Sequence, residues 1–233
     1  MSNTEKLGAK KVGNTKESRN FINKTLTFFT KYQNIIYGIL IGILVLICAI
    51  LAFNKFYLQP KNEKAAALIV TPIQYFVQGD STSLNLALEG DDENDGFLTI
   101  ASDFKLTKAG NTAKYYAGLC YLKLNDKEEA LNYLLQFKKK DDIMWYACQA
   151  LIGDLYDESG DSGKAMRYYL KAVKGDDPYF TPIALFKLGQ LYEREGNLKK
   201  ALIAYERIEK DFYTEYGRMG VDRYVERAKL NEK

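Results

Sequence analysis

The chain has 233 residues, with 33 Lys/Arg against 30 Asp/Glu and no histidine. Without histidine, a Ser-His-Asp or Cys-His catalytic centre is excluded, and so is the commonest metal ligand. The three cysteines, Cys48, Cys120 and Cys148, form no C-x-x-C pair, which argues against a disulfide framework. We expect Cys120 and Cys148 to behave as small buried hydrophobic residues.

Residues 1–34 form a basic and mostly polar tail. Its first 20 residues hold only Leu7 and Val12 as large aliphatic side chains, too few to bury a core, so they are predicted to be disordered. Residues 21–31 regain apolar side chains and are predicted to form a short amphipathic segment on a membrane surface.

Residues 35–53, IIYGILIGILVLICAILAF, form a continuous apolar run. No charge occurs between Lys31 and Lys55, and 19 residues suffice to cross about 30 Å of hydrocarbon. A cleaved signal peptide is the competing interpretation. It is disfavoured because more than thirty residues precede the run and no A-x-A site follows it. We predict an uncleaved transmembrane helix over 35–53.

The charge distribution predicts the orientation of this helix. Residues 1–57 carry eight Lys/Arg against two Glu, whereas residues 58–233 carry 25 Lys/Arg against 28 Asp/Glu. The side of the membrane helix that carries more Lys and Arg is usually cytoplasmic. Within fifteen to twenty residues of the span, the N-terminal side exceeds the C-terminal side by only about one such charge. The prediction is a bacterial inner-membrane protein with a cytoplasmic N-terminus and a periplasmic C-terminal region.

Residues 54–110 are predicted to be a linker followed by a degenerate helical repeat or cap. Asn62–Gln78 reads as a helix with Pro72 as its weak point, and Ser83–Glu89 as a second, short element. Gly90–Gly96 reads as an acidic solvated turn, and Phe97–Phe104 as a further helix.

A pattern repeats three times between residues 111 and 213. Each copy has a Gly, a Tyr three residues later, an Ala twelve residues later, and a large side chain four beyond that. The copies are 35 and 36 residues apart, a period typical of stacked helical hairpins. The repeating residues are Gly118, Tyr121, Ala130 and Leu134; Gly153, Tyr156, Ala165 and Tyr169; and Gly189, Tyr192, Ala201 and Tyr205.

The spacing indicates that each Gly is a packing residue. Gly and Tyr share one face of a first helix, and Ala lies on a second helix beyond a turn pair such as Asn125-Asp126. Small residues on facing helices allow close approach. We therefore expect Gly153 to tolerate Ala but not Leu.

These positions resemble the tetratricopeptide repeat family, whose signature runs W-x2-L-G-x2-Y, A-x3-F, P. The resemblance covers residues 111–213 and implies an all-α solenoid of three hairpins following the single transmembrane helix. Residues 214–233 are predicted to cap it, with one closing helix over Tyr216–Leu230.

The resemblance also implies an inner surface on the first helices that binds protein. Its candidate residues are Tyr115, Leu119, Leu122, Asp154, Asp157, Phe186, Gln190 and Glu193. No Lys and Asn stand there to grip a terminal carboxylate, and the mixed apolar and acidic character favours basic, aromatic segments. Solvation of a helix face is an equally balanced interpretation of the acidic residues.

No residue set predicts catalysis. Asp154 and Asp157 share a face but lack a nucleophile, so we predict no enzyme activity, catalytic residue, metal, cofactor or small-molecule substrate. The acidic C-terminal region disfavours nucleic acid. The bilayer, contacted through residues 35–53, and proteins are the predicted partners.

The whole plan resembles the ancillary SecYEG translocon subunit (YfgM-like) family and the anchored tetratricopeptide proteins of Bacteroidetes-type bacteria. That resemblance implies an accessory role beside the protein-export channel, docking periplasmic chaperones or emerging chains. A scaffold subunit of another envelope complex is the alternative. An organellar import receptor is disfavoured by the basic tail.

Overall fold

A computed structural model describes residues 31–35, 37–138 and 143–231. The described residues are mainly helical and contain no strand, only an isolated bridge between Gly90 and Asp95. The predicted all-α class is therefore confirmed. The predictions for residues 1–30, a disordered segment and an amphipathic segment, lie outside the described residues.

The first of two compact units ends at Gln59 and contains the apolar helix. Helix α1 covers 31–53, and a π-helical segment, Asn54–Leu58, follows it. Among the described residues, one helix is long and apolar enough to cross a membrane, by length and composition, and it contains α1. Large side chains such as Leu44 and Val45 are exposed, as lipid-facing residues of a span would be.

The second unit begins at Pro60 and contains the hairpins. Its described helices are α2 (Gln59–Leu68, beginning one residue earlier), α3 (Val70–Gln78), α4 (Ser81–Glu89), α5 (Phe97–Asp103), α6 (Lys108–Lys123), α7 (Lys127–Gln136), α8 (Ile143–Glu158), α9 (Ser162–Ala172), α10 (Phe180–Arg194), α11 (Leu198–Asp211), α12 (Tyr213–Met219) and α13 (Asp222–Asn231). Three hairpins, α6/α7, α8/α9 and α10/α11, correspond to the three sequence repeats.

Two predicted single helices are each divided in two. The helix predicted over Asn62–Gln78 breaks at Ile69, because Pro72 has no N–H and its ring conflicts with the carbonyl four residues earlier. The closing helix predicted over Tyr216–Leu230 breaks at Gly220, whose φ of 60° is left-handed and ends α12. Helix α13 then packs against α11, and Val225 within it and Val221 just before it are buried.

The same turn joins the two helices of every hairpin. Its left-handed residue is Asn125 (φ 62°), Gly160 (φ 82°) or Gly196 (φ 75°). The next residue caps the second helix, since its side chain accepts a hydrogen bond from the backbone N–H three residues later; these caps are Asp126, Asp161 and Asn197. The predicted turn pairs are confirmed.

The repeated glycines lie against the large side chain of the second helix. A Cβ built on Gly118 would lie 2.6 Å from Cγ of Leu134, and one on Gly153 would lie 2.7 Å from two ring carbons of Tyr169. Gly189 faces the ring of Tyr205 in the same way. All three glycines are packing residues, as predicted.

The other signature residues also lie inside the hairpins. The alanines, Ala130, Ala165 and Ala201, are fully buried. Tyr121 and Tyr156 are half-buried and stack on second-helix rings, whereas Tyr192 is buried. The signature therefore defines the contact between the two helices of each hairpin.

The expectation that Gly153 would tolerate Ala is wrong for this backbone. Separations below about 3 Å from a Cβ are not found in real packing, and the ring of Tyr169 is buried and hydrogen-bonded at its hydroxyl. Even one methyl group must therefore displace a fixed aromatic ring.

We predict opposite effects for the same substitution at two glycines. Gly153→Ala should lower the free energy of unfolding by about 1–2 kcal/mol, because overpacking outweighs the helix-propensity gain of about 1 kcal/mol. Gly163→Ala, in the first turn of α9 with its nearest atom 3.7 Å away, should stabilise slightly. Thermal unfolding of the full chain in detergent, followed by circular dichroism, measures both. Equal melting of Gly153→Ala and the parent would contradict the packing assignment.

Candidate functional site

Two positions on each first helix define the inner surface. They lie one and four residues after the repeated Gly and hold Leu119 and Leu122 in α6, Asp154 and Asp157 in α8, and Gln190 and Glu193 in α10. All six side chains are half-buried. The surface thus changes from apolar in the first repeat to charged or polar in the second and third.

Asp154 links its own hairpin to the next one. The hydroxyl of Tyr169 in α9 donates to its Oδ1 at 2.7 Å, and Nζ of Lys187 in α10 donates to its Oδ2 at 2.5 Å. Burial, and then this hydrogen bond, raise the pKa of Tyr169, so its hydroxyl remains a protonated donor at neutral pH. Both carboxylate oxygens of Asp154 have partners within the chain.

Asp157 and Glu193 make the same kind of bridge. Asp157 pairs with Arg194 in the next first helix. Glu193 accepts from the Tyr205 hydroxyl at 3.2 Å, and from Arg227 of α13 at 3.2 and 2.5 Å. Each acidic side chain predicted to face a partner therefore pairs with a cation on the next first helix or, for Glu193, on α13.

The first repeat has neither half of this arrangement. Leu119 and Leu122 replace the acidic residues, and Leu134 replaces the tyrosine whose hydroxyl they would bind. The first and second repeats pack through buried residues such as Leu134 and Cys148, and the ion pair between them is an exposed one, Lys127 with Glu158 at 2.9 Å. The inner surface at α6 is consequently apolar and carries no internal ion pair among the described residues.

The two aromatic candidates, Tyr115 and Phe186, are half-buried against their own chain. The ring centroid of Tyr115 lies 5.4 Å from that of Phe137, and burial raises the pKa of Tyr115 to about 12. The ring of Phe186 meets Tyr224 of α13 edge-on, with centroids 4.7 Å apart. Each of these two rings is therefore partly packed in the core and partly exposed to solvent.

A polar pocket of about 530 Å³ occupies the C-terminal end of the inner surface. It is lined by Gln190, Glu193, Arg194, Leu198 and Arg227, and its charged groups are already engaged in the ion pairs described above.

The two cysteines of the hairpins show no reactive character. Cys120 and Cys148 are buried free thiols, and burial raises the pKa of each to about 12. In the part of the chain that the structure describes, no cluster of three His, Cys, Asp or Glu side chains could hold a metal ion.

Comparison with protein families identifies the hairpins. Residues 112–141 and 151–213 each match a family model for the tetratricopeptide repeat. These two segments carry tetratricopeptide repeats. Such repeats are typically non-enzymatic protein-interaction modules, so proteins are the expected class of partner. No curated protein matches the chain.

Sequence reasoning predicted a set of inner positions but missed the internal partners of the acidic ones. Lys187 and Arg227 were not singled out, and neither were the hydroxyls of Tyr169 and Tyr205. The signal was present as a spacing: each cation follows its carboxylate by 33, 37 or 34 residues, which is about one repeat. An inner surface that looks acidic in sequence is therefore charge-compensated in the fold.

Proposed function

We propose that this protein is a membrane-anchored interaction module of a bacterial envelope whose first repeat binds the partner. The observation that supports this is the contrast along the inner surface. Leu119 and Leu122 occupy the positions at which the later repeats hold charged or polar side chains, among them Asp157 and Glu193, both engaged in ion pairs. Burying two leucines requires no ion pair to be broken, so the apolar end is the least costly place for a partner to dock.

We further propose an accessory role in Sec-dependent export. The combination of a span-length apolar helix with tetratricopeptide repeats supports it, together with the resemblance to the YfgM-like family. Chains emerging from a channel expose apolar side chains before they fold. A half-exposed apolar surface beside Tyr115 would bind such segments or the chaperones that receive them, whereas the compensated surface at Asp154 would attract them weakly.

The proposed orientation places the N-terminus in the cytoplasm and the repeats in the periplasm. Protease added to intact spheroplasts should then degrade residues 58–233 and spare the N-terminal tail, because only the periplasmic part is accessible. Immunoblots with antibodies against the two ends give the measurement. Full protection of the repeats until the membrane is opened would reverse the orientation.

The binding site is tested by exchanging residues between equivalent positions. Leu119→Gln installs the side chain that Gln190 provides one solenoid step further on, and Gln190→Leu is the matched control. We expect Leu119→Gln to reduce recovery of translocon subunits about ten-fold after gentle detergent extraction, since one buried leucine contributes about 1.5–3 kcal/mol. Gln190→Leu should leave recovery unchanged.

Three outcomes would contradict parts of this proposal. If the Leu119→Gln variant folds and inserts like the parent and recovers the same amount of partner protein, the first repeat is not the binding site. Recovery of one unrelated envelope complex, lost in Leu119→Gln, would retain the binding site but replace export with a scaffold role. If replacing residues 35–53 with a foreign span abolishes recovery while Leu119→Gln does not, recognition lies in the bilayer.

A further inference from the structure

Six lysines gather at the start of the second unit. They come from α2, from the connection between α5 and α6, from α6 itself, and from the residues after α7. We call them the basic patch: Lys61, Lys64, Lys105, Lys108, Lys114 and Lys138. None of them belongs to the inner surface described above.

Helix α2 meets the start of α6 within this patch. The side-chain Oδ1 of Asn62 accepts from the backbone N of Lys108 at 3.1 Å. Lys61 and Lys64 line a pocket of about 540 Å³ together with Pro60, Asp103 and Phe104, and Nζ of Lys64 lies 6.0 Å from the Phe104 ring centroid. Segments more than forty residues apart in sequence thus place their lysines side by side.

The patch continues along α6. Asn111 Oδ1 accepts from the backbone N of Lys138 at 3.1 Å, which holds the segment after α7 against α6. Burial lowers the pKa of Lys114, and the charges of Lys138 and Lys105 lower it further. These three ammonium groups are therefore close enough to repel one another.

Five of the six lysines have no carboxylate partner among the described residues. Lys187, Arg194 and Arg227 on the inner surface each have an acidic partner. By contrast, no carboxylate of the described residues lies within ion-pair distance of Lys64, Lys105, Lys108, Lys114 or Lys138. Among the described residues, Glu63 next to Lys64 in sequence and Asp103 in the pocket are the acidic neighbours, and two carboxylates do not neutralise six lysines.

The geometry points to anionic phospholipid headgroups as the partner of the basic patch. This inference rests on the proposed membrane anchoring. Lys61 follows Phe53, the end of the apolar run, by only eight residues, so the patch begins close to the membrane-spanning segment along the chain. An anionic membrane surface attracts each nearby lysine by roughly five-fold in binding constant, within a Debye length. The patch would then hold the first repeats close to the bilayer.

Lysine labelling of the full chain in nanodiscs tests this contact. Discs of phosphatidylcholine alone are compared with discs containing about one third phosphatidylglycerol, at about 50 mM and about 500 mM salt. A soluble amine-acylating reagent is followed at each lysine by mass spectrometry. We expect labelling of Lys64, Lys105 and Lys108 to slow about five-fold in anionic discs at low salt only, while Lys174 and Lys210 are unchanged.

A charge-reversal pair provides the matched variants. The double variant Lys64→Glu/Lys105→Glu should abolish the slower labelling of Lys108 in anionic discs. The control double variant Lys174→Glu/Lys210→Glu should preserve it. Equal labelling in both kinds of disc would overturn the inference and leave the anchor intact. The inference would also be overturned if inorganic phosphate slowed the labelling of these lysines in phosphatidylcholine discs. The same holds if labelling slowed only after an acidic protein was added. Failure of the chain to enter discs at all would contradict the anchor, and the lipid contact with it.

Discussion

The close contact between a glycine and the large side chain of the facing helix organises the repeat region. At Gly118, Gly153 and Gly189 the absence of a Cβ lets Leu134, Tyr169 or Tyr205 lie directly on the backbone of the first helix. Gly in a helix interior costs about 1 kcal/mol relative to Ala, and the buried side chain that it admits offsets this cost. The contact sets how closely the two helices approach, and the same kind of turn joins them in each of the three hairpins.

In the second and third repeats, the same contact also determines the electrostatics. A tyrosine ring seated on the glycine directs its hydroxyl to a carboxylate on the inner surface, as Tyr169 does to Asp154 and Tyr205 to Glu193. That carboxylate then binds a cation from beyond its own hairpin: Lys187 of α10 for Asp154 and Arg227 of α13 for Glu193. Packing within one hairpin is in this way connected to the junction between hairpins, and the inner surface becomes neutral where its sequence suggests acidity.

Much of the fold could be predicted from sequence because the signature positions are local. The Gly-Tyr-Ala spacing and the turn pairs predicted three hairpins, and the uncharged run predicted the apolar helix. The breaks at Ile69 and Gly220 were not predicted, because a proline near a helix start and a single glycine are each compatible with a continuous helix. The partners of Asp154 and Glu193 were missed for another reason: they lie on different repeats, and sequence alone does not show which side chains face each other across a junction.

The most direct test of this account is a double-mutant cycle that joins the glycine contact to the junction between repeats. Gly153→Ala displaces the ring of Tyr169, and Lys187→Met removes the cation that Asp154 binds. If the ring positions the carboxylate, Lys187→Met should cost less in the Gly153→Ala background, with a coupling of at least about 0.5 kcal/mol in the free energy of unfolding. Strictly additive losses would contradict the account, because they would mean that hairpin packing and the ion pairs between repeats are independent.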